Sequence, residues 1–209
     1  MALKFVSFCL LLCQALPLFL CGLFLLREPF CFFSSPGAGL FRGALSLAML
    51  TAAPVTVATA SALAAITHAN VDGGGSVLLA ESDPLLTNAT YRSAVLGATA
   101  PHGTLAYGEP LSKAGLHVVA SETDHWVENL TGLCGCGAHL ALTIVSDHAQ
   151  QGHPMLPVIQ AAEVHQRGRV AAADVDVFLT GNAVADEATL VLLVVAVAQH
   201  DRTPVANAQ

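Results

Sequence analysis

Charge is scarce in this chain. Only 11% of its 209 residues are Asp, Glu, Lys or Arg, against roughly 25% in an average soluble protein. Its eight basic residues form no cluster, and the net charge is −7. Neutralising a phosphate backbone needs grouped Lys and Arg, so nucleic acid is excluded as a partner. Cysteine is missing where a disulfide framework would need it. Four of the six lie at positions 9, 13, 21 and 31, and the others are Cys134 and Cys136. No other cysteine of the globular part could pair with those two, and a C-x-C pair supplies only half of a four-ligand zinc site. The chain has no internal repeats, which excludes a solenoid or propeller. Its single tryptophan is Trp126.

What is abundant is apolar surface, and much of it is at the N-terminus. Phe5 to Leu26 is an almost unbroken apolar run preceded by Lys4 and followed by Arg27-Glu28-Pro29. About twenty such residues can span a bilayer, and a charged start before an apolar run also describes a signal peptide. A mis-assigned start is the third reading. Residues 1–50 are therefore expected to be a hydrophobic leader, with a membrane contact through residues 5–26, and residues 51–209 to be the globular domain. A genuine leader implies a membrane-anchored or secreted protein. A non-native one implies a cytoplasmic protein. Asn88-Ala-Thr90 and Asn129-Leu-Thr131 match the N-glycosylation pattern, and chance explains both better.

From Thr51 to Asn70 an apolar stripe at helical spacing ends before Asp72-Gly73-Gly74-Gly75, which predicts a helix with a glycine stop. Short apolar runs at 76–80, 116–120, 138–145 and 155–161 read as strands, with shorter ones near 104–107 and 174–178. Val127, Leu130 and Leu133 mark the buried face of a helix, and Glu187 to His200 another that is apolar nearly all round. Alternating helix and strand predicts an α/β fold, a mostly parallel sheet with flanking helices behind the hydrophobic N-terminal segment. Glu81 and Asp83 follow a strand's carboxyl end, where open parallel sheets bind ligands.

Polar chemistry is concentrated between Gly115 and His139. This stretch holds three His, two Glu, Asp124, Asn129 and Trp126. A polar loop and helix start between two strands is where an α/β protein usually keeps a site.

Across residues 105–160 the chain resembles the C-terminal region of the altronate and galactarate dehydratase family of sugar-acid hydro-lyases. The matching pieces are Tyr107-Gly108-Glu109, Gly115-Leu116-His117, Glu128-Asn129-Leu130-Thr131-Gly132-Leu133, Gly137-Ala138-His139 and Gly152-His153-Pro154-Met155-Leu156-Pro157-Val158-Ile159. Residues 74–81 resemble the preceding passage, so the resemblance starts near Thr51. It implies removal of water from an aldonate or aldarate with help from a divalent metal, Fe²⁺ or Mn²⁺. Family enzymes are longer. Where they carry a Thr-Thr-Gly-Arg-Gly type sequence, this chain has Thr143-Ile144-Val145-Ser146-Asp147-His148. A basic residue that could clamp a substrate carboxylate is absent there.

Dehydrating a sugar acid needs a base for the proton α to the carboxylate, a group to stabilise the enediolate, and an acid for the leaving hydroxyl. His125 and Glu128, three apart, are expected to share a helix face as catalytic and metal-binding residues, with His139 as a third ligand. Asn129 and Thr131 are candidates for substrate hydroxyls. The backbone N–H groups around Gly132 and Gly137 are candidates for a carboxylate. Helix capping and ordinary turns are the plainer reading of all four. The expected partner is a small sugar acid, with a homo-oligomer as a further option. The rival reading is a non-catalytic, membrane-tethered binding or oligomerisation module, or a gene fragment.

Overall fold

The computed structural model describes residues 45–96 and 103–208. They build a seven-stranded sheet in which every pairing is parallel. In chain order the main elements are β1 (Ser46–Thr51), α1 (Val57–Asp72), β2 (Ser76–Ala80), β3 (Thr104–Leu105), β4 (Gly115–Val119), α2 (Trp126–Gly135), β5 (Leu140–Val145), β6 (Val158–Glu163), β7 (Val177–Leu179) and α3 (Ala183–Ala198). Helical turns fill residues 84–96. The expected α/β class is the observed one.

Across the sheet the strands run β3-β4-β2-β1-β5-β6-β7. Among the described strands the path begins in the middle with β1, works outward through β2 and β4, and returns to β5 for the other half. The carboxyl ends of β1 and β5 therefore flank the point where strand order reverses, the place where open parallel sheets form a ligand crevice.

Alternation along each strand sorts side chains onto two faces. Leu47, Met49, Val77, Leu79, Leu140 and Leu142 pack with Leu63 and Ile66 of α1 and Leu190 and Val194 of α3. Ala48, Leu50, Leu78 and Ala141 pack on the opposite face with Leu130 and Leu133 of α2. Both faces of the central strands are covered, so they read as continuous apolar runs.

Two boundaries differ from expectation. The sheet's middle strand is β1, whose residues 46–50 fall in the stretch assigned above to the leader. Its SLAMLT sequence continues the leader's apolar composition, so no break is visible. The expected helix over 51–70 begins instead at Val57, because Thr51 is still paired to Ile144 and Thr56 is the N-cap. The apolar run 5–26 lies outside the described residues. Among those described, no helix is long and apolar enough to cross a membrane. The C-terminal helix buries one face, not all round: Leu190 and Val194 are buried, while Leu192 is 70% exposed.

Candidate functional site

A cleft of about 480 Å³ opens at the carboxyl ends of β1, β2 and β5, lined by Thr51, Asp83, Asp124, His125, Trp126, Asn129 and Gln150 among others. It lies at the topological switch point and takes its lining from both halves of the sheet.

Asp83 forms one wall. It is 2% exposed. The N–H and Oγ1–H of Thr51 donate to its two carboxylate oxygens at 2.7 and 2.6 Å, and the N–H of Leu85 donates at 2.8 Å. Burial penalises its charge more than these donors support it, and the carboxyl is pushed up to about 6.

The other wall is the entry to α2. The N-cap residue, His125, has extended dihedrals and makes no side-chain cap bond; its N–H donates to Thr123 Oγ1 at 3.0 Å. His125 is thus the N-cap and Glu128 the third residue of the helix, so the two sit on the first turn of α2 and differ in their relation to the cleft. His125 lines the cleft. Glu128 is exposed and is not among the lining residues. Its carbonyl accepts from Tyr107 Oη at 2.8 Å.

Asn129 is the most suggestive residue of the cleft. It is 8% exposed and lines the cavity, and its side-chain amide, which makes no hydrogen bond among the described residues, is open to the solvent of the cleft. An amide open to the cleft can both donate to and accept from a group bound there. The same residue buried at this position is a poor acceptor for a glycan. The other sequon residue, Asn88, is engaged as a cap by the N–H groups of Thr90 and Tyr91. Trp126 lines the cleft beside Asn129, and its indole N–H is buried without a partner.

The remaining expected site residues lie elsewhere. Thr131 Oγ1 sits 3.1 Å from His153 Nε2 and donates to Val127 O at 2.8 Å. His153 Nδ1 accepts from the N–H of Met155, so the neutral ring donates from Nε2 to Thr131. Burial holds the His153 pKa below its usual value. Thr131 therefore joins two pieces of the resemblance, the Glu128–Leu133 core and the Gly152–Ile159 run, instead of facing the cleft. Gly132 packs under Tyr107: a Cβ there would come within 2.5 Å of the ring. Gly137 adopts φ +101°, and its N–H bonds to Cys134 O. It closes the end of α2 and has no N–H to offer a carboxylate.

His139 stands at the opposite end of the sheet. Its N–H donates to Ser46 O and its Nδ1 accepts from the N–H of Ser46. Ser46 opens β1 and Thr51 closes it, a separation of roughly 16 Å at ~3.3 Å per residue. His125, Glu128 and His139 cannot share one ion. Among the described residues no three His, Cys, Asp or Glu side chains gather as a metal site. Cys134 and Cys136 are free thiols, and burial raises the Cys136 pKa, as befits turn fillers.

Sequence reasoning missed Glu163. Its Oε1 accepts from the N–H and Oγ1–H of Thr56 and from Oγ1–H of Thr59, at 2.9, 2.6 and 2.6 Å. A carboxylate from the end of β6 thus fills the N-terminus of α1, the place where related topologies hold a phosphate. The only local signal is the Thr-x-x-Thr start of α1; its partner is 107 residues away.

The sequence matches no protein-family model and no curated protein at a significant level.

Proposed function

We propose that the chain is a divergent sugar-acid dehydratase-like domain, which binds a polyhydroxylated acid or its derivative in the cleft beside Trp126 and removes water from it. The observation that carries this reading is Asn129. The segment that resembles the hydro-lyases delivers an amide that makes no hydrogen bond among the described residues to a cleft at the switch point of the sheet, next to His125, Asp124 and the sole tryptophan. In this reading His125 exchanges protons with the substrate, and Asn129 with Asp124 orients its hydroxyls. Glu128 touches no ligand. The residues present do not fit a resident Fe²⁺ or Mn²⁺ held by His125, Glu128 and His139, because that set does not converge.

Incubation of the protein with aldonates and aldarates, and detection of a 3-deoxy-2-keto acid, tests the reading. His125→Ala should abolish product, and Glu128→Gln should leave it. No product from any sugar acid or sugar lactone, with binding intact, would favour the second reading, a binding module without turnover. The divergence of the three expected metal ligands favours that second reading.

A further inference from the structure

We propose that the ligand enters this cleft as an uncharged sugar lactone, the internal ester of an aldonic acid, and not as the open carboxylate. The proposal rests on the reading of the cleft as a sugar-acid site, and it narrows the form of the substrate.

The charge of the lining argues for it. Among the described residues two carboxylates, Asp83 and Asp124, border the cavity, and no Lys or Arg does. His125 is the one described lining side chain able to carry positive charge. An open sugar acid would bring another negative charge beside two of its own sign, with no guanidinium or ammonium among the described lining residues to receive it. A lactone presents hydroxyls for Asp124, a carbonyl oxygen for the free amide of Asn129, and a ring with a C–H face for Trp126. Buried polar groups that meet a matching partner are the usual source of discrimination between close analogues.

The chemistry argues the same way. Taking a proton from the carbon next to a carboxylate builds a second negative charge on the same group, which is why a cation normally assists. An ester carbonyl delocalises the charge without one. In the lactone, the imidazole of His125 takes the C2 proton. The C2–H electron pair becomes the C2–C3 double bond as the C3–O bond breaks, and the hydroxide leaves with that proton as water. The resulting enol tautomerises to the 3-deoxy-2-keto lactone, and the sequence consumes no oxidant, reductant or co-reactant.

Calorimetric titration of the full chain with galactono-1,4-lactone and with galactonate, near pH 6.5, tests the proposal. The lactone should bind at least about tenfold more tightly, and Asp124→Asn should raise galactonate affinity by about tenfold without raising that of the lactone. Galactonate binding as tightly as the lactone would overturn the proposal and leave the sugar-acid reading standing. An Asp124→Asn variant with unchanged galactonate affinity would also overturn it, since charge would not be the discriminator. Failure of both compounds to bind would remove this proposal and the reading beneath it together.

Discussion

Thr51 holds Asp83 at both oxygens, its N–H at 2.7 Å from Oδ2 and its hydroxyl at 2.6 Å from Oδ1. The contact ties the end of the central strand to the loop after β2, and it sets the wall of the cleft. Asp83 has a carboxyl pKa of about 6 when folded, against 3.8 for the unperturbed group. Between those values the folded state binds the extra proton, so stability falls as pH rises from about 4 to about 6 and is level above. The effect is on the order of 3 kcal/mol at 1.36 kcal/mol per unit. Thermal unfolding of the wild type and Asp83→Asn at pH 4 and pH 6.5 checks it. The cost of the substitution should be larger at pH 4. An equal cost at both values would argue against a raised carboxyl.

Asn129→Ala should separate binding from folding. Its amide makes no hydrogen bond among the described residues and is open to the cleft, so its removal should cost less than about 1 kcal/mol of stability. Ligand affinity should fall tenfold or more, on the order of the ~1.4 kcal/mol that one lost hydrogen bond to a ligand represents. Melting and titration on the same sample read both quantities. A large drop in melting temperature would show that the amide serves the fold instead.

Thr131→Val leaves the buried His153 without its Nε2 partner. A stranded buried donor costs about 1–3 kcal/mol, and chemical denaturation should show a loss in that range. The pH sign is opposite to that of Asp83. Burial keeps the folded His153 pKa below the unfolded one, so the unfolded chain protonates first as pH falls. The stability due to neutral His153 is present above the ordinary histidine range and is lost as pH drops below it.

Gly132→Ala should destabilise the fold through Tyr107 alone. A Cβ at this position enters the space of the Tyr107 ring and must displace it from its bond to Glu128 O. Overpacking of this kind costs about 1–3 kcal/mol. In a Tyr107→Ala background the same substitution should cost nothing, because alanine is the better helix former. A penalty that survives in that background would place the clash elsewhere.

The parts of the structure legible in the sequence are those written in local periodicity. Leu130 and Leu133 announced α2, and the apolar runs announced β2, β4, β5 and β6 within a few residues. β1 was hidden because its apolar residues continue a leader of the same composition. The site was legible as a region and not as a set. Asp124, His125, Trp126 and Asn129 all come from the polar stretch, but Thr51 and Asp83 meet across 32 residues and Thr56 and Glu163 across 107, pairings that only the strand order creates. The spacing of His125 and Glu128 put both on the first turn of α2, but it could not show that only His125 would line the cleft. His139 and the cleft were separated by strand direction, which the parallel pairing of β1 with β5 fixes.

The central claim is that the cleft at the switch point is the ligand site, and the chain carries its own reporter there. Trp126 is the single tryptophan and it lines the cavity. Its fluorescence, followed while galactonate or galactono-1,4-lactone is added, should change saturably with at least one of them, and the midpoint should move to higher concentration in Asn129→Ala. Emission that stays flat with both compounds, or a midpoint that Asn129→Ala leaves in place, would contradict the account.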